Sequence, residues 1–585
     1  MKIGLPFIFT ILWWLISIFL TIDTGCFIYP SMSQTLIGYL CVMILCAMGW
    51  AYGFFTNAKI PMNMNSVLLF CWLVYLCFHS VMVADAEVYK LLYFVAGLLL
   101  ILTLSQMLHN GALTFSKLEN GFLLMLILQL GCLLLQSMGL MSSYNSYFSL
   151  TGFSDNPNST AVMIAVCIPL IYERLKTSNH TYLLLILLVV SFLYLVVLKC
   201  RTAYIGLAVI CIIRIALSAK AKKLYSQLSR KVLYASCASL LLVLLLLFGA
   251  LYKMKQNSSD GRILVWKIST EMMMEKPEGW GIGLFEKHYN LCQGEYFAAG
   301  NASGQEKYLA STVYMAYNDW LEHGVEAGWI GAIFITSFYV FLAVKAYRTR
   351  KLMAFSIICA FMVMSLVNFV YASIQSWFIL LCYAADVISG SSRSFRGGKI
   401  TSRSVHLVAL FFSLFLLGKY GELTYAQVCL KHDEDMSAKG LKVEVEDVEK
   451  LSPHIGTSEG YEKFVSSLYM RDGRYEQAIE HLRNAADYTS EPELFFALFN
   501  CYDKMGMTAK GVEYIKTVRN MLPQNMMSRN ILLRWYDSQG MKVEALAVAH
   551  EMAETPLKVN SSVAESYQRG ARRYIEKESK IKESQ

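Results

Sequence analysis

The chain has 585 residues, of which 56% are hydrophobic and only 16% charged, and its formal net charge is +9. Many apolar stretches are long enough to cross a hydrocarbon core of about 30 Å, which excludes a single soluble globule and leads us to expect a polytopic, all-α membrane protein. The positive charges gather in short loops between these stretches, so the net charge is no footprint for nucleic acid and no nucleic-acid partner is expected.

In chain order, spans are read near 5–22, 36–56, 66–84, 90–108, 120–141, 159–173, 181–200, 202–219, 232–252, 326–346, 352–368, 370–388 and 404–422, about 13 in all. The first follows one lysine and is followed by no small-residue cleavage site, so it is read as a retained span. Loops after even-numbered spans carry Lys59, Lys117, Arg174 with Lys176, Lys220 to Lys231, Arg348 to Lys351, and Arg393 to Arg403. Short cytoplasmic loops retain Lys and Arg, so these loops are placed inside, together with the amino terminus. The connections at 23–35, 85–89 and 142–158 are almost free of both and are placed outside. Continuing the count gives spans one to nine over 1–252, an external segment over 253–325, spans ten to thirteen over 326–424, and an external soluble helical domain over 425–585.

The last domain shows a period of 33 or 34 residues, with Gly473, Gly506 and Gly540 at equivalent turns and Pro523 and Pro556 closing the second and third units. Tyr475 and Ala478 fit the pattern of the tetratricopeptide repeat, which this domain resembles, and Gly511 departs from it. Such repeats stack into a concave surface that binds other molecules, which points to a protein partner.

Chemistry is sought in the external segments. Most of the 15 cysteines lie in spans, and Cys26, Cys292, Cys429 and Cys501 have no spacing that defines a pair. No CxxC or HxxxH motif occurs, so no metal is expected. Arg201 joins the seventh and eighth spans, where a guanidinium either snorkels to the interface or holds a phosphate in its planar fork. Arg262 opens a helix that carries Ile263, Trp266, Ile268 and Met272. That helix is read as an interfacial one anchored by Trp266, as one wall of an anion site, or as both together. Gly279, Gly281 and Gly283 clear side chains from a short run, either for close backbone approach or as a flexible turn. Before the tenth span, helical spacing puts Asn318 and Glu322 on one face and Asp319, His323 and Glu326 on a neighbouring one, a group that either moves protons or caps and solvates the span.

These pieces in this order resemble the O-antigen ligase and polymerase family of bacterial envelope glycosyltransferases. The resemblance rests on Gly152 to Asn158 with Asn156, Pro157 and Asn158, on Arg201-Thr-Ala, on Gly261-Arg262 with Trp266, on Pro277 with the glycines and Phe285, and on Asn318-Asp-Trp-Leu with Glu326, Gly328 and Gly331. It implies transfer of a preassembled glycan from undecaprenyl diphosphate to a hydroxyl on a glycan, lipid or protein, on the periplasmic side of the inner membrane. It also implies a fold similar to C-type glycosyltransferases, with no nucleotide sugar, cofactor or metal. Arg201 and Arg262 match the family arginines that hold the donor diphosphate. The family commonly places His before the Asn of Asn-Asp-Trp-Leu as base, whereas this chain has Tyr317, a weak base at neutral pH. Asp319, Glu322 and His323 are therefore the candidate catalytic residues, the alternative being that positioning and diphosphate stabilisation suffice. A protein oligosaccharyltransferase is the competing acceptor reading, and a scaffold or transporter for lipid-linked glycans is the alternative of another class. The spans are almost free of charge, which argues against transport.

Overall fold

The computed structural model describes residues 4–583 apart from 29, 301, 392, 394–398, 456–457, 559–560 and most positions between 220 and 255. The described residues are helical or irregular, with no strand among them. Eight long helices open the chain, α1 Gly4–Phe19, α2 Tyr39–Thr56, α3 Met64–Met82, α4 Val88–His109, α5 Phe115–Ser137, α6 Pro157–Leu175, α7 Thr181–Val197 and α8 Arg201–Ala216, with a short helix Pro30–Ser33 and a π-helical stretch Gln34–Gly38 leading into α2. The expected ninth span, 232–252, lies outside the described residues. An intervening segment carries α9 Gln256–Glu275, α10 Phe285–Ala298 and α11 Gly304–Leu309. Then come α12 Asp319–Arg348, α13 Leu352–Met364, α14 Ile374–Ser389 and α15 Lys399–Ala438.

By length and composition, 7 helices among the described residues suffice to cross a membrane: Ser31–Thr56, Met64–Met82, Val88–His109, Phe115–Ser137, Pro157–Leu175, Asp319–Arg348 and Ile400–Ala438. Shorter apolar helices accompany them, including Thr181–Val197, Leu352–Met364 and Ile374–Ser389. The polytopic membrane character expected from composition holds at this level. The bounds differ at 404–422, which lies within the longer helix Lys399–Ala438, and to a smaller extent where the spans at 352–368 and 370–388 are expected to be nearly continuous. Those helices stop at Met364 and resume at Ile374 because the chain between them turns its backbone toward other elements. Ser365 O accepts from Asp319 N at 2.8 Å, Val367 O accepts from Arg262 Nη1 at 2.6 Å, and Val370 N donates to Asp319 Oδ2 at 2.8 Å. Hydropathy does not register such capture, since the loop takes part through backbone groups, two of them on the apolar Val367 and Val370.

Helix α12 is broken at Gly328 (φ 67°, ψ −171°). A break inside an apolar helix strands backbone groups, which need partners in protein. The glycine run supplies them: Trp280 N donates to Val325 O at 2.8 Å, Gly281 N to Glu326 O at 3.0 Å, and Trp329 N to Pro277 O at 3.0 Å. Gly279, Gly281 and Gly283 all have positive φ, and a Cβ on Gly279 would lie 2.5 Å from Glu326 O, one on Gly281 2.3 Å from Asp85 O. The run is therefore a close-packed clamp between α12 and the α3–α4 connection, where only glycine fits.

Helix α9 buries Leu264, Val265, Ile268, Met272 and Met273 against Phe285, Tyr289 and Phe297, so the segment has its own core. Beyond it, α15 runs forty residues without a break, about 60 Å at 1.5 Å per residue. Its Leu416, Tyr420 and Leu423 belong to the core of the helix bundle, while Ala426 and Leu430 belong to the core of the C-terminal helices. Those helices form three hairpins: α16 Glu459–Arg471 with α17 Tyr475–Ala486, α18 Pro492–Lys504 with α19 Thr508–Met521, and α20 Met526–Ser538 with α21 Lys542–Glu554, followed by α22 Ser562–Glu583. Gly473, Gly506 and Gly540 turn the hairpins with φ between 72° and 74°, the left-handed region that closes helices most easily at glycine.

Candidate active site

Lys199 takes a left-handed conformation (φ 50°) that ends the α7 hairpin and lets α8 begin at Arg201. Arg201 Nη1 donates to Ser259 Oγ at 3.2 Å, which ties α8 to the start of α9. One turn along α9, the Arg262 guanidinium lies 5.0 Å from the centre of the Tyr317 ring while its Nη1 holds the Val367 carbonyl. Burial, and then the like charge of Arg201, press the Arg262 pKa below its ordinary value. Two guanidinium groups held this near each other favour an anion between them.

Tyr317 also has a left-handed backbone (φ 52°), which disfavours a bulky side chain by about 1–2 kcal/mol. The surroundings over-determine it. Trp266 Nε1 donates to Ala316 O at 3.0 Å, Ala316 N donates to Glu322 Oε2 at 2.8 Å, and Asn318 caps α12 by accepting from Trp320 N and Leu321 N, both at 3.1 Å. Strain maintained in this way clusters at functional sites. Burial raises the Tyr317 phenol, so at neutral pH it is a hydrogen-bond donor and not a base.

Arg201, Arg262 and Tyr317 line a cavity of about 560 Å³ together with Asn156, Asn158 and Lys199. Asn156 caps α6 by accepting from Asn158 N at 2.9 Å, which sets the wall opposite α9. Lys558, from the connection between α21 and α22, lines the same cavity. Among the described residues that line it, four are cationic and none is acidic. Arg201, Thr202 and Arg262 also border a second, apolar space of about 320 Å³ that Ile205, Ile263 and Trp266 help to enclose. The two arginines thus stand between a polar chamber and an apolar slot.

The three residues expected to act as acid or base lie elsewhere. Asp319 is 2% exposed, with Oδ2 held by Val370 N. Glu322 Oε1 and Glu326 Oε1 share Lys90 Nζ at 2.7 and 2.8 Å, and the other Glu322 oxygen is held by Ala316 N. His323 is 1% exposed; its Nε2 accepts from Trp72 Nε1 at 3.2 Å, and its ring packs against Phe94. None of the three lines the cavity, because the helical turn they occupy faces the bundle. Gly281 and Gly283 do not line it either, being engaged with the α3–α4 connection and α12. Sequence reasoning passed over Lys90, Lys199 and Lys558. The first two carried a signal, since a cation at a span end placed outside runs against the positive-inside bias.

Residues 186–336 match the family model described as O-Antigen ligase. The match takes in Arg201, Arg262, Trp266, the glycine clamp, Tyr317 and Asn318 to His323, and leaves out Asn156, Asn158 and the C-terminal hairpins. No curated protein matches the chain. The match supports membrane glycan processing of the O-antigen ligase type and points to a glycan-transferring activity.

Proposed function

We propose that the chain transfers a preassembled glycan from a polyprenyl diphosphate, undecaprenyl diphosphate in a bacterial inner membrane, to a hydroxyl acceptor on the periplasmic face. The observation that carries this reading is the position of Arg201 and Arg262 between a cation-lined chamber and an apolar slot. A lipid-linked glycan has the same order of parts: an apolar chain, a diphosphate, and a polar sugar. In this reading the chain enters the slot, the diphosphate rests on the arginine forks, and the first sugar faces Asn156, Asn158 and Tyr317.

The acceptor oxygen attacks C1 of that sugar, the bond from C1 to the diphosphate oxygen breaks, and its electron pair leaves with the lipid diphosphate. The hydroxyl proton passes to a phosphate oxygen held in the same chamber. The negative charge on the leaving group rises as the bond breaks, and guanidinium groups already fixed by Ser259 and Val367 stabilise it without reorganising. Asp319 and Glu322 act at one remove, by holding the Ala316 to Asn318 turn and the 365–370 loop that frame the chamber. Neither a cofactor nor a metal enters this scheme.

The amino terminus is then cytoplasmic, and the C-terminal hairpins, with their resemblance to tetratricopeptide repeats, are periplasmic and serve a protein partner. Their place beside the chamber favours, as a second reading, a protein hydroxyl as acceptor. Cell-free transfer from purified undecaprenyl-diphosphate-linked glycan, offered in turn to lipid, glycan and protein acceptors, tests both readings. Arg201→Ala and Arg262→Ala each lower the rate by about 10²-fold or more, the usual result of removing a donor to developing charge. Wild-type rates from either normally inserted variant would remove the diphosphate site.

A further inference from the structure

The chamber is not closed by the family-matched residues alone. Lys558 comes from the connection after α21, more than two hundred residues beyond the match, and its Nζ donates to Leu309 O at 3.0 Å and Ala310 O at 3.1 Å. Leu309, Ala310 and Lys558 all line the chamber. An ammonium has three N–H donors, and these carbonyls take two. The amine of this exposed residue is thus held by two bonds on the lining it shares with Arg201 and Arg262.

Its position is secured by the way the hairpins seat on α10. Gln293, itself a lining residue, donates from Nε2 to Met521 O at 2.9 Å and to Ser311 O at 3.2 Å. Lys287 Nζ donates to Asp487 O at 2.8 Å, and Ser490 Oγ to Glu286 Oε1 at 3.1 Å. At Gly294 the fit is close enough that a Cβ would lie 3.1 Å from Met521 Cγ. These contacts, with the unbroken α15 on the other side, fix the hairpins as a wall and not as a tethered module.

Charge gives that wall a use. A diphosphate esterified at both ends carries two negative charges, and a third develops on the leaving group as the sugar bond breaks, before a phosphate oxygen takes up the acceptor's proton. Arg201 and Arg262 balance the ground state; Lys199 and Lys558, on the same lining, are placed to stabilise the charge that develops as the bond breaks.

We propose that the C-terminal hairpins are part of the donor site and that Lys558 is a fourth cation for the lipid diphosphate, a binding residue carried by a domain that sequence alone would assign to partner recruitment. This rests on the diphosphate reading of Arg201 and Arg262. Binding of a polyprenyl diphosphate to the full chain, followed by calorimetry in detergent with polyprenol as the uncharged control, tests it. Lys558→Ala weakens polyprenyl diphosphate binding about tenfold, the size of one charge-assisted contact, and leaves polyprenol binding unchanged. Lys558→Arg restores most of the loss.

Equal losses for the diphosphate and for polyprenol would show that Lys558 only holds the domain in place and would overturn the proposal. An unchanged diphosphate affinity in Lys558→Ala, with a weakened one in Arg262→Ala, would overturn it while sparing the donor reading. If Arg262→Ala also bound normally, the donor reading itself would fall, and this inference with it.

Discussion

Two groups of charge lie a few residues apart at the same end of the helix bundle, and they are built on opposite terms. Around Lys90, one ammonium is shared by Glu322 and Glu326, while Asp319 is held by a backbone amide and His323 by Trp72. Around Arg262, four cations face one space with no acidic residue among its described lining. The first group satisfies itself and so holds structure; the second, in the reading proposed above, takes an anion. Proximity to the reaction is therefore a poorer guide to chemical role than whether a charge is already answered within the protein.

The sharpest way to break this contrast is to reverse the sign in the open group. Arg262→Glu puts a carboxylate where the donor phosphates would rest, and transfer falls by about 10³-fold or more. The protein still inserts, because Arg262 is not among the buried residues that form the core of α9. Transfer measured per folded molecule checks this, and retention of more than a tenth of the activity would mean that the chamber does not hold the anion.

The closed group breaks in the other currency, stability. Lys90→Met leaves Glu322 and Glu326 in a buried site without their cation, and removing one partner of such a group is destabilising by roughly 3–5 kcal/mol. Thermal unfolding in detergent detects the loss as a large drop in melting temperature. The double change Lys90→Met with Glu326→Gln recovers part of it, since one uncompensated charge is gone. A melting temperature within a degree or two of the wild type would place Lys90 with the open group.

This contrast also explains what the sequence could and could not reveal. Apolar run lengths give membrane helices because burial in hydrocarbon depends on composition, and Arg201 and Arg262 stand out because a cation at such a place needs a reason. The spacing that puts Asp319, Glu322 and His323 on adjoining faces is also real, but spacing does not state which way a face points. That was decided by the break at Gly328 and by the clamp from 277 to 284, contacts between stretches some forty residues apart. Lys558 gave no local signal at all. Its role depends on how three hairpins seat on α10, and only the folded chain brings it beside Leu309.

The smallest effect concerns that seating and divides the two groups by pH. Glu286 of α10 meets Ser490 in a cleft that also holds Glu87, Glu459 and Glu491, with Lys463 bonded to the last two. Burial is the main cause that raises the Glu286 carboxyl from 4.5 to about 7, against the Thr489 and Ser490 hydrogen bonds that lower it, and Glu87 is raised to about 7 in the same way. The folded chain therefore binds more protons than the unfolded one across that interval, and its stability falls as pH rises through it. The contribution is whole below about 4.5 and is lost as pH passes about 7. We expect the hairpins to be held more weakly at pH 8 than at pH 5, by on the order of 1 kcal/mol once solvent screening at the cleft is included. Limited proteolysis of the C-terminal helices at the two pH values reads the difference. Glu286→Gln keeps the side-chain shape and removes one of the two titrations, so it roughly halves the dependence. A wild-type protein whose cleavage rate is flat over this range would show that the carboxylates of the cleft are already answered, as those around Lys90 are.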